Sequence, residues 1–364
     1  IFYPFIKLFT FMILDRKSMI DEFYLRNKFK NISVAEIHHN ERDFICNSTN
    51  DFLKISQTEV FNKYLIYNIL NKNEKINIKI KNDFKDKKKI IYGKKYNIFS
   101  KIKNFFQIFL AKFSYFTNET VFETFYYSEF KFIKICLSSG IFPYKISKLF
   151  DKNFYSSVDQ KKINIIKNLI KKSKFTEQEK LISELIINLL PKNYLENFNQ
   201  IIKHLSFYPP KKKIITSISF YYNEIFRIFL VLAKRNNTKI IQCDHGGGLG
   251  FKDKPNYFYI QNKIFDNFAV WGKNRGGSKI PLKKKIFINP SLSSLDIELG
   301  SHNKSHLSIL FYESRKFTLE YDALQSFENQ NKVLNDLIYM SKKLPRKIKD
   351  TIIFRPLRNY GLYS

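Results

Sequence analysis

Residues 213–251 read KIITSISFYYNEIFRIFLVLAKRNNTKIIQCDHGGGLGF, and their patterning decides the fold. Lys213 to Ser219 is a short apolar run with the composition of a buried strand, and Asn223 to Arg235 carries apolar residues at helical spacing. Asn236-Asn237 supplies a turn, and a second strand-like run begins at Thr238. Strand, helix and strand within about thirty residues make a βαβ unit, whose strands lie parallel in one sheet. Open sheets of this kind bind ligands at the carboxyl ends of their strands. There the second run empties into His245 and the glycines Gly246, Gly247 and Gly248. Backbone without Cβ atoms approaches a ligand closely, and a histidine beside it exchanges a proton near neutral pH.

The plainer reading has to be weighed. A glycine-rich turn after a strand is more often a tight turn than a ligand cradle. This one has neither the G-x-G-x-x-G spacing of a dinucleotide site nor the following Lys-Ser/Thr of a P-loop. A lone histidine is also more often structural than catalytic. Three glycines nonetheless cost chain entropy that a simple turn does not require, so His245 with Gly246 to Gly248 is read as a site.

Composition sets the outer bounds. A chain of 364 residues is expected to form two domains, and 44% apolar residues suffice for folded cores. The 63 Lys and Arg against 32 Asp and Glu leave a net charge of +31, which ordinarily points to nucleic acid or an anionic membrane. Lys, Asn, Ile, Phe and Tyr are inflated together, however, as AT-rich codon usage would inflate them, so the charge is discounted. The basic tract Lys79 to Lys103 shows no RNP, zinc-finger or helix-turn-helix pattern and is read as a solvated insertion, with attraction to a membrane surface second. Cys46, Cys136 and Cys243 have no metal-ligand spacing and fit a reducing, cytoplasmic compartment. The apolar N-terminal run IFYPFIKLFTFMIL is 14 residues long and contains Lys7, short of the roughly 20 that a spanning helix needs. Asp15-Arg16 follow it without a small-residue cleavage site, which argues against a signal peptide.

Working outward, residues 1–150 read as mostly helical, with amphipathic patches at Lys17 to Phe29, Glu59 to Leu70 and Ile102 to Phe113. Thr176 to Glu179 is a capping box before the periodic run Leu181 to Leu190, which Pro191 ends. Pro255 is placed to open a short helix to Phe265, and Asn267 to Trp271 and Lys285 to Ile288 read as strands. The expected division is a domain over 1–290, helical to 200 and α/β from 201 to 290, then a Ser-rich linker over 291–306. A second α/β domain would open at 307 with a strand to Tyr312, a helix over Leu319 to Leu344 and a strand over Asp350 to Arg355. Fifty-eight residues hold only the start of such a domain, and the chain begins at Ile1 without methionine, so truncation at both ends is expected.

An ordered series of short motifs then carries a resemblance. It comprises Asp15-Arg16, Leu190-Pro191 with Tyr194-Leu195-Glu196, Thr216-Ser217, and Asn223-Glu224 with Phe226. Next come Asp244-His245-Gly246-Gly247-Gly248-Leu249-Gly250 and Asp266 with Trp271-Gly272-Lys273, and finally Ser314-Arg315 and Arg355-Pro356 with Tyr360-Gly361. The chain resembles a bacterial family of surface-carbohydrate transferases, itself similar to GT-B glycosyltransferases and to the glycerophosphotransferases of wall polymers. Asp244, Leu249 and Lys273 depart from the Gln, Tyr and Trp usual in that family, and residues 253–263 are less acidic.

The resemblance implies a GT-B-like α/β fold of two Rossmann-like domains, the first holding the acceptor and the second, here incomplete, the nucleotide-activated donor. It implies a transferase moving a sugar or alditol phosphate onto a surface-polysaccharide precursor, a glycan or lipid-linked acceptor. His245 would be the catalytic base, with Gly246, Gly247, Gly248, Glu224 and Trp271 on the acceptor side. Ser314, Arg315 and Arg355 would meet the donor, the arginines stabilising the departing phosphate without a metal or a separate cofactor. Against these roles, Trp271 is ordinarily core packing, Glu224 complements a helix N-terminus, Arg355 is an ordinary surface arginine and Asp15-Arg16 a structural pair. A cytoplasmic enzyme in peripheral contact with the inner face of an anionic membrane is the expectation. A non-catalytic carbohydrate- or nucleotide-binding protein of the same fold is the first alternative, and a basic nucleic-acid-binding protein the second.

Overall fold

The computed structural model describes residues 2–27, 31–35, 44–71, 77–81, 98–125, 127, 129–244, 258–271, 280–288, 307–311, 327–346 and 352–356. Among them the strands are β1 (Asn31–Ala35), β2 (Asn77–Lys81), β3 (Thr120–Phe122), β4 (Lys213–Thr216), β5 (Lys239–Cys243), β6 (Asn267–Trp271), β7 (Lys285–Ile288), β8 (Leu307–Phe311) and β9 (Ile352–Pro356). The chain divides into two compact units. One comprises Ile1–Lys7, His38–Phe52 and Asp83–Asp296, the other Leu8–Ile37, Leu53–Asn82 and Ile297–Ser364.

The first unit is built on a parallel sheet in the order β3-β4-β5-β6-β7. Strand side chains alternate between faces, and here both faces are apolar, as a parallel sheet covered on both sides requires. Val121, Ile214, Ile240, Phe268 and Val270 join the larger core, against Phe226, Phe229 and Leu230 of the helix Glu224–Arg235. Phe122, Ile215, Ile241, Cys243 and Ala269 line smaller clusters with Phe125, Phe132 and Cys136. Removing a phenylalanine side chain from water contributes about 1.5–3 kcal/mol, so the larger cluster dominates the stability of this unit.

Local chemistry sets the boundaries of the central βαβ unit. Asn223 caps the helix Glu224–Arg235, its Oδ1 accepting the Phe226 N–H at 3.0 Å. At the other end Asn237 takes the left-handed conformation with φ 58°. The Asn237 N–H reaches the Lys234 carbonyl at 3.1 Å and the Thr238 N–H that of Ala233 at 3.0 Å, the two bonds of a Schellman cap. Asparagine tolerates this backbone better than most residues, so Asn236-Asn237 ends the helix where β5 must begin. Thr176 and Glu179 form the expected capping box for the helix Glu177–Asn188.

The second unit holds the parallel pairs β1-β2 and β8-β9. Arg16 is ion-paired with Asp15 and donates to Asn62 Oδ1 at 3.1 and 3.0 Å, while Asn62 donates to the Ser56 and Thr58 carbonyls at 2.9 Å each. The Asp15-Arg16 motif is thus a structural pair on the long helix Tyr3–Asn27.

Two expectations change. Lys79 to Lys81, read as part of a solvated insertion, belong to β2, where the alternation of NIKIK suits a strand. The tract's other end, Lys101 to Lys103, lies in the helix Ile98–Thr117, and residues 82–97 lie outside the described residues. The N-terminal portion is also less uniformly helical than its composition suggests, since it supplies β1, β2 and β3. Among the described residues no helix is long and apolar enough to cross a membrane.

Candidate active site

The carboxyl ends of β3, β4, β5 and β6 form one edge of the sheet, and the strand register brings polar residues there in steps. Phe122 pairs with Ile215, Thr216 with Gln242, and Cys243 with Ala269, so Glu123, Ser217, Asp244 and Trp271 all fall at or just beyond the strand ends. The ladder extends past the strands: Glu123 N–H donates to the Ile215 carbonyl at 2.9 Å and Asp244 N–H to that of Ala269 at 2.8 Å.

Glu123 is buried under hydroxyls. Thr216 Oγ1 donates to its carboxylate at 2.8 Å, Thr124 donates to the same oxygen, and Thr124 and Ser219 share a hydrogen bond of 2.6 Å. Burial pushes the Glu123 carboxyl above its usual range, opposed by these hydroxyl donors. Beside it Ser217 Oγ donates to the Cys243 carbonyl at 2.9 Å, tying β4 to β5 one residue before Asp244. Burial, followed by the Asp244 charge, raises the Cys243 thiol to about 12, so it is not a nucleophile.

Glu224 sits elsewhere, in a polar cluster inside the same unit. Its carboxylate accepts the Thr49 backbone N–H at 3.2 Å and the Asn193 side-chain amide at 2.5 Å. Tyr194 Oη shares a 2.8 Å bond with Thr49 and accepts from Arg227 at 3.3 Å, and the Lys192 and Asn193 N–H groups bond the carbonyls of Cys46 and Asn47. Burial raises the Glu224 carboxyl, and the Asn193 amide is the first group to oppose it. Only 1% of Glu224 is exposed, and its two donors come from distant stretches of chain. This arrangement braces residues 46–49 and 192–194 against the helix Glu224–Arg235, so the Leu-Pro-x-x-Tyr-Leu-Glu and Asn-Glu motifs meet in one interior network.

Asp266 of the Asp…Trp-Gly motif is also a brace. Its carboxylate accepts the Ile240 N–H at 2.9 Å and pairs with Lys234, so the residue just before β6 ties β5 to the helix Glu224–Arg235. Partial burial raises its pKa, but Lys234 and the Ile240 N–H outweigh that and hold it below the usual carboxylate range.

A sequence model of the LIC12162 family transferases matches residues 1–362. The chain belongs to the LIC12162 family of transferases. No curated protein and no solved structure matches it. For a LIC12162 family transferase the two carboxyl groups divide by position, Glu123 lying at the carboxyl edge of the sheet and Glu224 within the interior network. Trp271, at the end of β6, shares that edge and is half-buried. Asp244 places the chain at the same edge immediately before His245, while His245 and Gly246 to Gly248 lie outside the described residues. So do Ser314 and Arg315, and Arg355 is placed only by its backbone, opposite Leu310 in the β8-β9 pair. Sequence reading missed Glu123, Thr124 and Ser219. Their signal was a single acid following the three apolar-strand residues Thr120 to Phe122, too short a run to declare its period. Among the described residues no group of three or more His, Cys, Asp and Glu is placed to hold a metal ion.

Proposed function

We propose that this transferase moves a sugar or alditol-phosphate group from a nucleotide-activated donor to a hydroxyl of a surface-polysaccharide precursor, on a GT-B-like arrangement whose donor side includes residues 307–364. The observation that carries the reading is the parallel sheet whose carboxyl edge gathers Glu123, Ser217, Asp244 and Trp271 directly before His245-Gly246-Gly247-Gly248. Its chemistry suits an acceptor. Neutral His245 takes the proton of the acceptor hydroxyl, whose oxygen attacks the transferred group at its bond to the nucleotide phosphate. The N–H groups of Gly246 to Gly248 would hold acceptor oxygens or phosphate, and Trp271 would stack on a sugar ring. The nucleotide leaves with the bonding electron pair, and Ser314, Arg315 and Arg355 would hydrogen-bond and neutralise its phosphate.

The test is transfer and hydrolysis of radiolabelled nucleotide sugars and nucleotide alditols by the whole protein, with donor binding measured separately. Changing Arg315 or Arg355 to Gln is expected to weaken donor binding about tenfold or more, the scale of a charge-assisted hydrogen bond. Donor binding without any turnover would instead support the non-catalytic reading. Tight, salt-resistant binding to nucleic acid in place of donor binding would overturn both.

A further inference from the structure

The helix Ile98–Thr117 turns its apolar side away from the protein. Ala111, Ser114 and Tyr115 are its buried residues, yet Phe99, Ile102, Phe105, Phe106, Phe109 and Phe113 lie on the opposite side with exposures between 46% and 77%. Their spacing of three and four residues makes one continuous stripe along the helix. At 100° per residue, Lys101 and Lys112 fall on one flank of that stripe and Lys103 on the other, and all three are exposed. The helix contains no Asp or Glu.

We propose that this helix docks the protein on an anionic bilayer surface, lying in the interface with its phenylalanines among the acyl chains and its lysines at the headgroups. The composition selects this occupant over a second copy of the chain. A helix-pairing seam favours branched aliphatic residues at its inward positions with charges of both signs beside them, whereas here the stripe is mainly phenylalanine and the flanks are only positive. A net charge of +31 adds attraction of the same sign. The helix is not apolar enough to span, which leaves the interfacial arrangement. The inference is independent of the group transferred, since it uses no residue of the sheet edge.

Sedimentation of the full chain with vesicles of phosphatidylcholine alone, or with about one-third phosphatidylglycerol, tests it. Binding is expected on the anionic vesicles and weakly on the neutral ones, falling as salt is raised. Phe105→Ser with Phe109→Ser should reduce partitioning by at least about tenfold, because these side chains supply the buried apolar area. Lys101→Glu with Lys112→Glu should reduce it on anionic vesicles only, by roughly fivefold or more for each lysine removed. Both pairs are exposed, so thermal unfolding should match the parent and show that folding is intact. Parent binding that the phenylalanine pair leaves unchanged would overturn the proposal, as would absence of binding to anionic vesicles. A lipid-free dimer that the phenylalanine pair dissociates would assign the stripe to a second copy of the chain instead.

Discussion

Glu123 and Glu224 are both buried carboxyl groups whose pKa is raised by burial, yet their donors differ in kind. Glu224 is held by a backbone N–H fixed to the chain and by the Asn193 amide, whose Oδ1 already accepts from Asn197 at 2.8 Å and so opposes its turning. Glu123 is held by the hydroxyls of Thr216 and Thr124, which rotate and can either donate or accept. The first arrangement fixes architecture. The second tolerates a change of protonation at little structural cost. Burial alone therefore does not distinguish a brace from a candidate participant in chemistry; the mobility of the partners does.

The comparison separates edge chemistry from interior support, and substitutions sharpen it. The largest effect is expected at the edge: His245→Ala should lower turnover about 10²- to 10⁴-fold per folded molecule, with donor binding nearly unchanged. If that variant instead lost stability while its folded fraction kept full turnover, the histidine would belong with the braces. Glu224→Ala comes next, at about 3 kcal/mol of stability, because it leaves the Asn193 amide and the Thr49 N–H buried without their acceptor. Urea unfolding measures this, and a loss under about 0.5 kcal/mol would break the contrast.

Glu123→Gln should act through pH. Because the folded pKa is raised, the folded protein keeps a proton that the unfolded chain gives up above its ordinary value of about 4.3. The contribution of this carboxyl is full below that value and is lost as pH rises through the folded pKa, at up to about 1.4 kcal/mol per pH unit. The variant should therefore lose stability less steeply than the parent above about pH 4.3. Denaturation midpoints across pH 4 to 8 that fall in parallel for both proteins would show that Glu123 gains no proton on folding. The smallest effect belongs to Ser217→Ala, which removes one neutral bond to the Cys243 carbonyl and should cost about 1 kcal/mol without changing donor binding. A larger loss, seen in the same urea measurement, would mean that the β4-β5 tie governs the edge.

Much of the sheet was legible because its strands carry runs long enough to show a pattern. KIIT, KIIQC, NFAVW and KIFI lie where the apolar runs 213–219, the one beginning at 238, 267–271 and 285–288 suggested. The Asn236-Asn237 turn was legible because asparagine has a backbone preference of its own. Glu123 and its strand were not, because β3 is three residues long and its partner lies far along the chain. The brace at Glu224 was half legible: its place at a helix start was evident, but its donors at Thr49 and Asn193 lie in stretches with no local pattern linking them. The outward stripe of Ile98–Thr117 was visible as periodicity, though an amphipathic pattern does not say which side meets the protein.

The junction of β3 with β4 also orders the assembly of the molecule in time. Between β4 and β5 the chain closes a loop from Thr216 to Lys239, whereas between β3 and β4 it must close one from Phe122 to Lys213. The longer closure costs about 1 kcal/mol more in entropy, and its contacts reward that cost only after the intervening helices have condensed. The β4-β5-β6 block can therefore nucleate first, with the edge strand joining afterwards, so the hydroxyl nest around Glu123 is completed late and its amide protons should be among the earlier of the sheet's to exchange with solvent.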